Sequence, residues 1–550
     1  MRKFLIFIAF SFIPGSLIAG GLVTNTNQSA SWVRLPSRNA SVGLDAAYYN
    51  PAGLMKLENG FHLSISNQSV FQKREIENSY AGPLNSFGLN EHVYKGKVTA
   101  PLFPSIYAVY KMDKLAFSLG FNPIGGGGGA IYEKGLPSFE MGPSDLVPLL
   151  GSLGASAYRL DAYFKGTSTF LGFQGGVSYK INEWLSIAAG LRYVSAKNTY
   201  EGHLTDIEVN MGGVWTRADV IMAGIATGAS GAAVATTGLV ASGAGSLTLA
   251  QVQAAGYITL AQRAQLEGAL TSFGYPVNVP VAQADAIFKG AAVKYSATSN
   301  LLGDQTADVT QSGTGIIPYF SLNLSPAENL NIGIKYELAT KLDLKNKTKK
   351  DLLIGYENDA VTGLPLISNP ITMFPNGGMT RNDMPAMLAL GVDYSFPSSL
   401  VVSLGMNYFF DKSADYGHKI DADLSSATPS VHIANKDIID NNGMTFQGGL
   451  EYNISEKLLI SGGYVWANKG VNSIYQSDLA FGLSTNTFGV GGAYSINDNI
   501  QINLGAGYTM YKEDTKTIDH FVTGIATPIE ATESYRKSTF LIAVGVDFRF

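Results

Sequence analysis

FLIAVGVDFRF, residues 540–550, decides how the rest of this chain is read. Successive side chains of a β-strand point to opposite faces, so alternation reveals what each face touches. Phe540, Ile542, Val544, Val546, Phe548 and Phe550 share one face, while Ala543, Gly545, Asp547 and Arg549 share the other. Leu541 is the single bulky apolar residue on that second face. The same division separates Leu388, Leu390, Val392 and Tyr394 from Ala389, Gly391 and Asp393, and it separates Val402, Leu404, Met406 and Tyr408 from Ser403, Gly405 and Asn407. A soluble sandwich buries its apolar face against a second sheet and turns a polar face to water. Here the second face is small, with scattered charge, which suits a lumen, while the apolar face suits lipid.

Outward from that strand, six hairpins repeat one style. An aromatic closes a strand, a tight polar turn follows, and a strand of apolar residues and glycines runs to another aromatic. The copies span Tyr110 to Phe121, Tyr179 to Tyr193, Phe320 to Tyr336, Tyr394 to Tyr408, Tyr452 to Tyr464 and Tyr494 to Tyr508. Rings of aromatics at similar heights are the girdles of a transmembrane barrel. The six turns join twelve strands in pairs, at roughly 92–124, 167–209, 308–347, 384–420, 441–470 and 478–516. One strand at about 60–73 precedes them and one at 534–550 follows. The expected fold class is therefore all-β: a 14-stranded antiparallel transmembrane β-barrel over residues 60–550. The even count returns both termini to one side and places every long connection on the other, the longest at about 205–308.

The two ends agree. Arg2 and Lys3 precede an uncharged run from Phe4 to Ile13, and small residues gather at Ala19, Gly20 and Gly21, so residues 1–20 read as a secretory signal peptide. Its apolar core is shorter than the ~20 residues a spanning helix needs. The final Phe550, on the outward face of an amphipathic strand, resembles the terminal signal read by the outer-membrane barrel assembly machinery. Removing Arg2 and Lys3 from 38 cations set against 43 acids leaves a balance of −7, which argues against a nucleic-acid partner. With no cysteine there is no disulfide framework and no thiolate metal site. The 28 Tyr, 28 Phe and 62 Gly fit aromatic girdles and a crowded interior.

Val220 to Gln262 carries no charge, and a hydropathy scan could read part of it as a spanning helix. Its Ala, Gly, Ser and Thr content argues instead for a long external loop. The later part is expected to be helical: Thr259 and Gln262 stand at capping-box spacing, Leu266, Leu270 and Phe273 share a face, and Gly274 suits the stop.

Between the signal peptide and the first strand lie about 40 small and polar residues, 21–59. Within them ASVGLDAAYYNPAGL, residues 40–54, resembles the N-terminal hatch motif of the FadL-type transporters, outer-membrane carriers of long-chain fatty acids and aromatic hydrocarbons. Its specific part is Asn50-Pro51-Ala52, with Asp45 before it. The resemblance implies a hatch plugging the lumen, passive movement of a hydrophobic small-molecule ligand, capture at external loops, and release to the bilayer through a kink in the third strand. Pro123 with Gly125, Gly126, Gly127, Gly128 and Gly129 is the candidate kink, because proline removes a ladder donor and glycine tolerates φ > 0. A flexible exit into an external loop is the other reading of that run.

Candidate capture residues are Leu260, Leu266, Leu270 and Phe273 in the long loop, and Leu364, Leu366, Ile371, Met373 and Phe374 in the next. Arg192 and Lys335, on lumen faces, are candidate partners for a ligand carboxylate, with pairing to Glu337, Asp393 or Glu451 as the alternative. Lys345, Lys347, Lys349 and Lys350, at an outer strand end, are expected to meet lipopolysaccharide phosphates or water. No cofactor, no metal site and no enzymatic activity are expected, and the chain is expected to be a monomer. The six histidines are scattered, without HExxH or a G-x-S-x-G elbow, although His418 and His520 lie near strand ends close to serines or acids. The rival functions are a general porin or a structural barrel, followed by a barrel-embedded hydrolase.

Overall fold

The computed structural model describes residues 24–82, 88–416, 419–420, 431–432, 438–522 and 527–550. Residues 1–20, expected from sequence to be a signal peptide, and His418 lie outside the described residues.

Fourteen strands close into a barrel. They are β1 (Gly60–Asn78), β2 (Val93–Met112), β3 (Leu115–Tyr132), β4 (Ala155–Lys180), β5 (Leu185–Met211) and β6 (Gln305–Ala327). β7 runs in two pieces, Leu330–Glu337 and Asp343–Lys350, and β8 likewise in Met379–Arg381 and Met387–Ser395. β9 (Leu400–Phe409), β10 (Met444–Asn453), β11 (Leu458–Asn468) and β12 (Thr485–Asn497) follow. β13 comprises Ile500–Tyr511 and Asp514–His520, and β14 spans Ile529–Arg549. Each strand pairs antiparallel with its sequence neighbour, and β14 closes on β1 from His62↔Arg549 to Asn78↔Glu533. Such closure leaves no open sheet edge, a requirement for strands in lipid.

The alternation read at residues 540–550 is what the barrel uses. Phe540, Ile542 and Val544 are exposed, whereas Leu541 and Ala543 are buried. Phe71, Phe540, Tyr508, Phe488 and Tyr464 stand side by side in direct cross-strand register, all exposed, and form one arc of an outer aromatic ring. Between that ring and the turn-side aromatics Tyr110, Tyr179, Tyr394, Tyr452 and Tyr494 lie exposed Leu119, Leu191, Leu404, Leu450, Val490 and Leu504. A continuous apolar belt of this kind far exceeds what a soluble surface carries. It is the lipid-facing band of a transmembrane barrel.

Several strands outrun the lengths expected from sequence: β1 continues to Asn78 and β4 starts at Ala155, so their outer ends rise beyond the aromatic ring. β9 is shorter, ending at Phe409, and residues 419–420 pair instead with 431–432 in a separate ladder.

The insert between β5 and β6 corrects the loop reading of its first half. Ala218–Leu239 is a helix of 22 residues. Alanine has the strongest helix propensity of any residue, which outweighs the absence of large side chains. In chain order the helices are α1 (Ala30–Arg34), α2 (Ala46–Tyr49), α3 (Pro137–Ser144), α4 (Leu146–Leu149), α5 (Ala218–Leu239), α6 (Leu249–Ala254), α7 (Leu260–Ser272) and α8 (Val281–Leu302). α5 lies against α8, and Ala233, Leu239, Leu266, Leu270, Ala284 and Phe288 belong to one apolar core of the insert. The capping box foreseen at Thr259 and Gln262 opens α7.

Candidate functional site

The N-terminal segment, from Thr24 to the start of β1, is folded inside the barrel. Ser29 caps α1 through its hydroxyl, which accepts from the Trp32 N–H at 2.9 Å. Arg34 reaches outward from α1 to three strands: it donates to Asn503 at 3.1 Å and Ser461 at 3.0 Å, and it pairs with Glu451. Arg38 and Asp45 hold the segment's own turns together through paired hydrogen bonds of 2.9 and 2.8 Å. The same carboxylate accepts from the hydroxyls of Ser29 and Ser41. Burial pushes the Asp45 carboxyl up, but the Arg38 guanidinium and the two hydroxyls outweigh it and hold the group below its ordinary range.

Asn50, Pro51 and Ala52 fasten this segment to the wall. The Asn50 amide is fully buried and donates to the Ser41 carbonyl at 3.1 Å and to Asn323 on β6 at 2.7 Å, while its oxygen accepts from Ser321 at 3.1 Å. The Pro51 and Ala52 carbonyls accept from Ser178 on β4 and Ser186 on β5, both at 2.7 Å. Wall glycines make the approach possible. A Cβ at Gly333 would overlap the Asn39 carbonyl oxygen, and one at Gly391 would overlap the Ala40 nitrogen.

Arg192 and Lys335, the two cations singled out from sequence, meet each other at Glu337. Arg192 grips that carboxylate through two hydrogen bonds of 2.8 and 2.9 Å, and Lys335 reaches it at 2.8 Å. Lys335 also donates to the Tyr48 carbonyl at 2.6 Å, and both cations lie over the Tyr48 ring, at 4.7 and 4.4 Å from its centroid. Two cations share one acid, so the group retains a formal positive charge beside Tyr48 of α2.

Two apolar clusters are stacked within the barrel. The inner one joins Ala30, Trp32, Val33 and Leu54 of the N-terminal segment to wall residues such as Ile124, Phe170, Val194 and Ile317. The outer one fills the mouth, where Leu136, Phe139, Leu146 and Leu150 around α3 and α4 pack on Ile76, Tyr94, Phe164, Phe481 and Tyr535. Of the capture candidates, Ile371, Met373 and Phe374 belong to this mouth, and Phe374 stacks on Tyr200 at 4.7 Å. Leu266, Leu270 and Phe273 lie elsewhere, in the core of the insert. Leu260 is exposed on α7, while Leu364 and Leu366 are half-buried. The α3–α4 residues were missed from sequence. Their 3–4 residue spacing was the available signal, interrupted by Pro137, Pro143 and Gly142.

Polar moorings hold α3 and α4 in the mouth. Glu140 accepts from the Tyr158 hydroxyl at 2.6 Å and from Tyr94, and Asp145 accepts from the Tyr80 hydroxyl at 2.9 Å. His520 finds its partner here, 2.7 Å from Asp145.

The ladder of the wall is interrupted between β6 and β7, from Tyr319↔Glu337 to Ser312↔Lys345, and over a longer stretch between β2 and β3. β2 and β3 pair from Met112↔Leu115 to Ile106↔Phe121 and again from Val98↔Ala130 to Gly96↔Tyr132, with no pairing between. Over that interval β2 stays on β1, and β3 stays on β4 through register shifts at Pro123/Gly125 and Gly125/Gly128. Pro123 and the glycine run Gly125–Gly129 therefore lie within β3, opposite the gap. Gly126 has φ +90°, and a Cβ there would overlap the Ser168 carbonyl oxygen, so this bend requires glycine.

The start of the N-terminal segment fits against the parted strand. Thr24 bridges Gly125 in antiparallel fashion, and Asn25 donates from its backbone to the Ile124 carbonyl at 2.8 Å and from its side chain to the Gly126 carbonyl at 3.0 Å. The Gln28 side chain accepts from Asn122 at 2.7 Å, and its carbonyl accepts from the Tyr107 hydroxyl at 2.8 Å. Thr24 and Gln28 are both buried.

No protein-family model and no curated protein matches the sequence. Among solved structures, the fold is similar to that of a Pseudomonas aeruginosa FadL homologue, with a TM-score of 0.56 at 12% identity, covering 97% of this chain and 100% of that one. It is also similar to a TodX deltaS2S3 mutant monoaromatic hydrocarbon channel, with a TM-score of 0.51 at 13% identity, covering 95% of this chain and 99% of that one. At such identities the likeness is one of fold, and the fold is that of the FadL-type outer-membrane barrels.

Proposed function

We propose that this FadL-type barrel is a passive outer-membrane transporter for hydrophobic small molecules, long-chain fatty acids or aromatic hydrocarbons. One observation carries the reading: a barrel filled by its own N-terminal segment has a gap in its wall, and the same segment bolts that gap. A lumen obstructed by buried hydrogen bonds does not suit free diffusion of ions.

The route follows from solvent physics. Each methylene moved from water to an apolar site gains ~0.8 kcal/mol, so an acyl chain with ten of them gains ~8 kcal/mol in the outer cluster. Ile371, Met373, Phe374 and the α3–α4 residues line the capture end. The inner apolar cluster, which includes Ile124 beside the gap, is the next stop. Withdrawal of Thr24 to Gln28 opens the wall between β2 and β3, and the solute passes sideways into the bilayer without crossing the hatch. Arg192 and Lys335 serve a carboxylate ligand by exchanging part of their hold on Glu337.

Because the chain has no native cysteine, a Thr24→Cys, Gly125→Cys pair tests the bolt directly. Bridge partners lie within the span a disulfide needs. Oxidation should abolish uptake of both a fatty acid and a neutral aromatic hydrocarbon by whole cells, and reductant should restore it. Uptake that continues at full rate in the oxidised protein would falsify the lateral exit. In the same assay Arg192→Gln should depress fatty-acid uptake and spare the neutral hydrocarbon.

A further inference from the structure

One sector of the outer wall is crowded with lysines. Lys197 on β5 pairs in register with Ser312 on β6, and Ser312 pairs with Lys345 on β7, so the two ammonium groups stand two strands apart on one row. Their Cα atoms are then roughly 10 Å apart. Lys347 occupies the next outward position on β7, and Lys341 is exposed just before that piece begins. The intervening Leu344 and Asn346 are buried toward the lumen, which fixes the lysines on the outer face.

Two of the acids nearby are engaged elsewhere: Asp308 takes Lys349 at 2.9 Å and Glu201 takes Lys165 at 3.1 Å. Asp343 stands exposed between Lys341 and Lys345 on the same face, 3.5 Å from Arg381, and so offsets part of the positive charge. Lys197, Lys341, Lys345 and Lys347 form no ion pair among the described residues. Directly beneath them, Leu191, Tyr193, Ile316, Phe320 and Tyr336 are exposed and apolar. Lys197 is four residues up the strand from Tyr193, ~13 Å along it, which is headgroup depth when the aromatic ring marks the edge of the hydrocarbon. Three of these like charges, Lys197, Lys345 and Lys347, stand on the sheet itself, and even with Asp343 beside them they repel one another unless a further anion sits among them.

We propose that this β5–β7 face is a binding site for the phosphorylated glycolipid of the outer leaflet. The lysines take its phosphate groups, and the apolar side chains below take its acyl chains. The contrast with β1 and β2 supports a local site over general basicity. There Lys73 and Lys97 are neighbours, but Glu75 stands opposite Lys95 and Glu77 pairs with Arg536. The inference rests on the outer-membrane reading above.

The test uses the full folded chain in detergent, with purified bis-phosphorylated lipid A, its dephosphorylated form and inorganic phosphate as probes. The wild type should retain phosphorylated lipid A through size-exclusion chromatography, read by mass spectrometry, and lose it steeply as salt rises. Lys197→Gln, Lys345→Gln and Lys347→Gln together should lower retention at least about tenfold, while Lys73→Gln with Lys97→Gln should leave it unchanged. Equal retention by the triple variant, equal retention of the dephosphorylated lipid, or displacement by millimolar inorganic phosphate would each overturn the site. Heat-modifiable gel mobility reports folding, and if the triple variant misfolds, the salt and dephosphorylation arms on the wild type still decide. A barrel that fractionates away from outer membranes would sink the membrane reading instead, so the two failures are distinguishable.

Discussion

Replacing Asn50 with alanine strips partners from the Ser41 carbonyl, Asn323 and Ser321 at once, all of them buried. Unsatisfied buried groups cost ~1–3 kcal/mol each, against a side chain lost without filling its space. Asn50→Ala should therefore loosen residues 24–57, seen as faster amide exchange there, while exchange in the strands stays slow and the barrel remains assembled. Asp45 supplies a pH test. Its folded pKa lies below the unfolded one, so its pairing stabilises the docked segment above roughly pH 4 and is lost as pH falls through the lowered value. Emission from Trp32, with Trp184, Trp215 and Trp466 replaced by Phe, should shift red on that descent, and Asp45→Asn should erase the transition. At this scale the sequence displayed the Asn-Pro-Ala signal and the lumenal cations. It did not display their partners, because Ser178, Ser186, Asn323 and Glu337 come from distant strands and only register assembles them.

Single elements were legible where chemistry is local. The glycine run in β3 announced a break in the ladder, since Gly125 to Gly129 offer no side chains to pack. Which neighbour β3 would lose could not be read, because that depends on bulges distributed over β2, β3 and β4. The insert shows the opposite failure: small residues suggested a loop, but Ala226, Ala229 and Ala233 are the buried contacts that let α5 lie close to α8. With a core of its own, the insert should be dispensable for barrel folding. Replacing residues 218–302 by a short Gly/Ser linker should leave a heat-modifiable barrel of unchanged thermal midpoint within a few degrees. Unfolding of the barrel on that deletion would show that the mouth residues Ala218, Met222 and Leu302 anchor more than the insert.

At the scale of the molecule, the strand count and the inside–outside division were readable because a two-residue period survives along every wall strand, and lipid and lumen select different side chains. How thoroughly the lumen is filled was not readable, since the contacts are all long-range. A filled lumen sets an electrical expectation. The wild type in a planar bilayer should show little steady conductance, whereas deletion of residues 24–57 should open a persistent pore. Equal conductance from both proteins would favour a general porin.

The seam between β1 and β14 adds a constraint on time. The ring closes only when its last stave, Ile529–Arg549, reaches the first, and by then the N-terminal segment already exists. Arg34 and the backbone around Val33 lie against Gly489, Gly491 and Gly505, on strands that emerge among the last. The early part of the chain thus acts as a mandrel around which the late staves are bent, and removing it should slow closure even where the finished cylinder is stable.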